Sequence, residues 1–121
     1  MTTHSRRDPD CLFCKIIAGE IPSTTVYTDE QVTAFRDINP QMPTHVLVVP
    51  RQHVADTEAL RPEDDALVGA VVRAAQAVAR KEGLSERGYR LVFNTGADAQ
   101  NSVPHLHMHV LGGRRMGWPP G

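Results

Sequence analysis

Short blocks of apolar and polar residues along this chain predict two helices and five strands. Leu12 to Ala18 reads as a short helix closed by Gly19, and Pro22 and Ser23 break the helical pattern. Thr24 to Thr28 and Gln31 to Asp37 are strand-like, and Asp29-Glu30 between them makes the tight turn of a hairpin. Asn39 to Pro43 is a loop. His45 to Val49 is an apolar, Val-rich run ended by Pro50, the pattern of a buried central strand. Tyr89 to Asn94 is a fourth strand and His105 to Leu111 a fifth, with a small, polar connection between them.

Pro62 to Gly83 carries the clearest helical period. Leu67, Val68, Val71, Val72, Ala75, Val78 and Ala79 fall on one face. Pro62 suits a first helical position, the acids Glu63 to Asp65 and the bases Arg80 and Lys81 complement the helix dipole, and Gly83 suits the residue just past the end. Strands outnumber helices and hairpin-length turns join most of them. The pattern predicts an α+β fold: an antiparallel five-stranded sheet with one long and one short helix, the helices on one face.

The chain has 121 residues, enough for one domain with a real core. We expect that domain over 11–121, preceded by a mobile N-terminal tail over 1–10. A net charge of −1 with mixed signs lacks the basic patch of a nucleic-acid binder. No apolar run approaches the ~18 residues of a membrane span, and Met1 to Asp10 is too polar for a secretory leader. The expectation is a cytoplasmic protein with neither nucleic acid nor membrane as a partner.

Cys11 and Cys14 are the only cysteines, spaced C-x₂-C. In a reducing compartment they read as two buried thiols, a redox pair or half of a metal site.

The sharpest chemical signal is His105-Leu106-His107-Met108-His109, three of the chain's 6 histidines at period 2. On a strand this spacing puts all three imidazoles on one face, in one surface patch. Same-face neighbours lie ~7 Å apart, too far for all three to share a metal easily. Catalysis at phosphorus fits better, with one imidazole attacking while its neighbours hold phosphate and move protons. His45 begins a buried strand where packing alone would favour an apolar residue. Asn94 ends the fourth strand and Ser102 precedes the histidine strand; each reads either as a simple turn residue or, together, as hydrogen-bond donors that would surround His107.

The segment NSVPHLHMHVLGG, from Asn101 to Gly113, resembles the signature of the histidine triad (HIT) superfamily. Phe13-Cys14-Lys15-Ile16-Ile17, Ala34 to Ile38 and Pro43-Thr44-His45 match the family pattern in order. The ending Trp118-Pro119-Pro120-Gly121 is similar to the Hint branch, the purine nucleoside phosphoramidases. The resemblance implies a homodimer with its sheet continued across both chains. It implies cleavage of the P–N bond of adenosine or guanosine 5′-phosphoramidates through a nucleotidyl-histidine. His107 would be the nucleophile, with His109, His45 and Ser102 as further catalytic groups. Asp37 would bind ribose, and Phe13, Ile16 and Ile38 would line the purine pocket. Asn94, Ser102, His107 and His109 would contact phosphate, and Trp118 would reach the partner's site. Relatives that carry the cysteine pair imply a structural zinc on Cys11, Cys14, His53 and His105, and no catalytic cofactor. Two features depart from the Hint pattern: the cysteine pair, and Pro104 in place of an aromatic residue, whose missing N–H removes one ladder hydrogen bond from the predicted strand. Dinucleoside polyphosphate hydrolysis and non-catalytic nucleotide binding are the alternatives.

Overall fold

The Val-rich run does become the central strand. The computed structural model describes residues 7–121, so residues 1–6 of the expected tail lie outside the described residues. In chain order the elements are α1 (Leu12–Ile17), β1 (Thr25–Thr28), β2 (Val32–Arg36), β3 (Thr44–Pro50), α2 (Asp65–Lys81), β4 (Tyr89–Phe93) and β5 (Met108–Gly112). The five strands form one sheet in the order β1-β2-β3-β5-β4, and every neighbouring pair is antiparallel.

Residues 45–50 of β3 are buried without interruption, because both faces of the sheet are covered there. Val46 and Val48 pack with Val71, Ala75 and Val78 of α2. Leu47 and Val49 point the other way and pack with Phe13, Cys11 and Cys14 at α1. The two helices therefore lie on opposite faces of the sheet, not on one face as the sequence pattern predicts. The short helix carries too weak a period to reveal its side.

The long helix begins later than its apolar period suggests. Pro62–Asp64 form a 3₁₀ turn, and the α-helix proper starts at Asp65. Leu67 and Val68 are only partly covered, while Ala74, which the predicted stripe omits, is fully buried. Both helices stop as their glycines require. Gly83 adopts φ +75°, and the N–H groups of Gly83 and Leu84 bond back to the carbonyls of Arg80 and Ala79. Gly19 closes α1 the same way. Arg36 makes a two-pronged ion pair with Glu82 at 2.8 and 3.0 Å, tying the end of β2 to the end of α2.

The fifth strand is shorter than predicted. The ladder starts at Met108, so His105 and His107 lie outside it. Pro104 sits in the bend before it and removes no ladder bond. The N–H of Leu106 bonds instead to the carbonyl of Val54, which pulls the chain away from the sheet. Among the described residues no helix is long and apolar enough to cross a membrane.

Candidate functional site

Sheet register builds the floor of the site. Phe35 on β2 pairs with Leu47 on β3, and Leu47 pairs with His109 on β5. His45 stands two residues before Leu47, so its side chain shares that face. α1 lies over the row and brings Phe13, whose ring meets those of Phe35 and His107 edge-on at 5.5 and 5.0 Å between centroids.

The result is a cavity of about 290 Å³. Phe13, Ile16, Asp37, Ile38, Ser102, His107 and His109, all named from the sequence, line it. One end is apolar and the other carries the imidazoles. Ile38 is almost wholly exposed at the mouth. Leu47, Ile21, Pro22 and Ser23 are also part of the wall. Sequence reasoning missed them, because only the folded register and the turn after α1 carry them there. A larger cleft, about 490 Å³, is lined by Arg87, Arg114, Arg115 and Glu82 and contains none of the histidines.

The histidines are not a surface patch, as the alternating spacing predicts, but are largely buried. Nor do they act as one group of three. His107 Nδ1 lies 2.7 Å from the carbonyl oxygen of His105. A carbonyl only accepts, so Nδ1 carries the proton and Nε2 keeps its lone pair. The backbone N–H of Gln41 donates to His45 Nδ1 at 3.0 Å. That bond puts the His45 proton on Nε2, which stands 2.8 Å from His109 Nδ1. His109 accepts there and holds its own proton on Nε2; the Asn94 Nδ2 group, also a donor, stands 3.5 Å away and does not take that proton. These bonds leave a bare nitrogen on His107 and an N–H on His109.

Electrostatics keep these rings neutral. Burial lowers the His107 pKa, against the opposing pull of its bond to the His105 backbone and the Asp37 charge. Burial, then the neighbouring His107 and His45, hold His109 at about 4. His45 is lowered by burial, partly offset by Asp37. Asp37 Oδ1 accepts the Asn39 N–H at 2.8 Å, and Oδ2 stands 3.4 Å from His45 Nε2. Asp37, His45 and His109 are close enough to suggest a metal. The bond from Gln41 argues otherwise, because it leaves a proton on His45 Nε2 where a metal would need a lone pair.

His105 takes a different direction, away from the pocket. Its Nδ1 lies 3.3 Å from Cys11 Sγ, 3.5 Å from Cys14 Sγ and 3.2 Å from His53 Nδ1. Cys14 Sγ is also 3.5 Å from His53 Nδ1. Four ligands at ~2.0–2.3 Å from a tetrahedral centre stand ~3.3–3.8 Å apart. The cluster has zinc's donor set and close to its edge lengths. The other ring nitrogen is held too: His105 Nε2 donates to the Pro50 carbonyl at 2.8 Å, which orients the ring toward the cysteines. Burial holds the His105 pKa at about 4, so the ring is neutral as a ligand must be.

Trp118 lies away from the pocket of its own chain. It is 82% exposed, with the Arg90 guanidinium 5.8 Å above its ring.

Comparison with known proteins agrees with this geometry. The HIT domain model matches residues 18–116. A maize protein described as a 14 kDa zinc-binding protein is 50% identical over 116 residues, covering 94% of this chain and 90% of its own. The crystal structure of a HIT family hydrolase from Legionella pneumophila Philadelphia 1 superposes with a TM-score of 0.91 at 50% identity, covering 93% of this chain and 100% of that one. A HIT family hydrolase from Clostridium thermocellum gives a TM-score of 0.89 at 44% identity, covering 91% and 96%.

Proposed function

The chain belongs to the HIT domain family, and from that premise we propose that it hydrolyses purine nucleoside 5′-phosphoramidates through a covalent nucleotidyl-His107. The observation that carries the reading is the His107 tautomer. Its Nδ1–H is spent on the His105 carbonyl, which leaves Nε2 as an unprotonated nucleophile at neutral pH.

The purine lies against Phe13, Ile16 and Ile38, and the ribose hydroxyls reach the Asp37 carboxylate. His107 Nε2 attacks the α-phosphorus, forming the N–P bond as the P–N bond to the amine breaks. The departing amine takes a proton from His109 Nε2–H or from Ser102. Water then attacks the same phosphorus, its proton returns to that group, and His107 leaves as free imidazole with a nucleoside monophosphate as co-product. The Asn94 amide and Ser102 stabilise the equatorial oxygens. Two moderate displacements replace one difficult one.

Cys11, Cys14, His53 and His105 hold a structural zinc in this reading. The donor spacing supports it, as does the maize relative's description as a zinc-binding protein. The four protein ligands close the coordination sphere, so the ion ties elements together and takes no part at phosphorus. β4 is an edge strand, and the Trp118 segment is exposed beyond the sheet. Both fit a homodimer that continues the sheet through β4 and carries Trp118 toward the partner's pocket.

The test compares turnover of adenosine 5′-phosphoramidate with that of diadenosine polyphosphates, alongside acid-quench trapping of the nucleotidyl adduct. Faster phosphoramidate cleavage with a trapped adduct is expected. Preference for the polyphosphates would reassign the substrate, and the absence of any adduct would leave a nucleotide-binding module.

A further inference from the structure

Every polar handle of His105 is in use, and the side chain is completely buried. Nδ1 faces the two cysteines and His53. Nε2–H donates to Pro50 at the end of β3. The backbone carbonyl accepts the Nδ1–H of His107 at 2.7 Å. The bond to Pro50 also fixes which nitrogen of His105 bears the lone pair, and that nitrogen is the one aimed at the cysteines.

The sheet does not hold this residue. The β5 ladder begins at Met108, so the His105 peptide is oriented by local backbone bonds, His105 N–H to Val103 and Leu106 N–H to Val54, and by its side chain. The side chain has the broader grip: it reaches α1 through Cys11 and Cys14, and the segment after β3 through His53.

We propose that the Cys11–Cys14–His53–His105 cluster is a positioning device for the nucleophile. Zinc on the His105 side chain holds the His105 carbonyl, and that carbonyl sets the tautomer and direction of His107. His105 is thus a positioning residue acting through its backbone. Phe13 extends the same coupling. It lies between the two cysteines in sequence and packs edge-on against both His105, at 6.0 Å, and His107, at 5.0 Å. The cluster therefore sets the spacing between the apolar wall of the pocket and the attacking nitrogen. This role rests on the zinc and nucleophile assignments above and adds that the metal, though remote from phosphorus, governs the attacking group.

The test reads the His107 ring directly. ¹⁵N NMR at pH 8 distinguishes Nδ1–H from Nε2–H imidazole in zinc-loaded protein and in protein stripped by chelator. The loaded protein is expected to show only the Nδ1–H form. The stripped protein is expected to show a mixture, with single-turnover adduct formation slowed about tenfold and the Kd for AMP changed less than about threefold; added zinc restores both. His53→Gln removes one ligand and leaves Cys11, Cys14 and His105 in place, and it gives the same reading where complete stripping unfolds the chain. A folded, zinc-free protein or variant whose His107 stays wholly Nδ1–H overturns the proposal. The tautomer is read without substrate, so failure to cleave phosphoramidates would sink the functional reading and leave this result standing.

Discussion

His45 Nε2 lies 2.8 Å from His109 Nδ1, although 64 residues separate them in the chain. Gln41 fixes the proton on His45 from the other side, so His109 presents its own N–H toward the pocket. His45→Phe keeps a ring of similar size and leaves both the Gln41 N–H and His109 Nδ1 without a partner. We expect kcat to fall at least tenfold with little change in KM, and stability to fall by about 1–3 kcal/mol, the usual cost of unpaired buried polar groups. Steady-state kinetics and urea unfolding check this; an unchanged kcat would mean that His45 does not set the His109 tautomer that the reaction uses.

His107→Ala should reduce turnover by roughly a thousand-fold or more, the scale on which loss of a covalent nucleophile acts. AMP affinity should stay within a few-fold, because Asp37 and the apolar wall remain. Calorimetric titration alongside turnover decides it. Retention of a tenth of the original kcat would identify another group as the nucleophile.

The triad was legible from its spacing, and the resemblance supplied its roles. The strand was not legible as built. Period 2 describes a continuous strand, but burial of the His105 ring among Cys11, Cys14 and His53 draws residues 105–107 out of the ladder, and no local pattern carries that competition. The same holds for β3 and α1: the sequence displays an apolar run and a short helix, while only the register with β2 and β5 decides which face each serves. The helix α2, with its Gly83 stop, was readable because its signals are local.

Acid should weaken the fold. In the unfolded chain His109 titrates near ~6.5, whereas in the fold it is held at about 4. Between those values the unfolded state binds a proton that the folded state refuses. Stability is therefore full above about pH 6.5 and declines as pH falls toward 4. His45 is shifted in the same direction. Urea midpoints at pH 7.5 and 5 should differ clearly, and His109→Asn should narrow the gap. An equal gap in both proteins would mean that His109 does not titrate this way.

Protein purified without chelator should contain one zinc per chain. Cys11→Ala should lose it and unfold roughly 10 °C lower, a few kcal/mol at ~4 °C each. Cys11 also caps α1 through the Cys14 N–H, so part of that loss is metal-independent. Metal analysis of the unaltered chain is the primary reading, and a content well below one would contradict the zinc assignment.

In solution the chain should be a dimer. Light scattering at micromolar concentration is expected to give twice the 13.3 kDa of one chain. A mass near that of a single chain would leave the β4 edge and Trp118 without the partner assigned to them.

Because neighbouring residues of β3 serve opposite layers, variation along this strand should sort by parity. Even-numbered positions, Val46 and Val48, answer to α2. Odd-numbered ones, His45, Leu47 and Val49, face the chemistry and the cysteine cluster. A mutational scan of seven residues would then separate into two interleaved records, one of folding and one of catalysis, from a single stretch of chain.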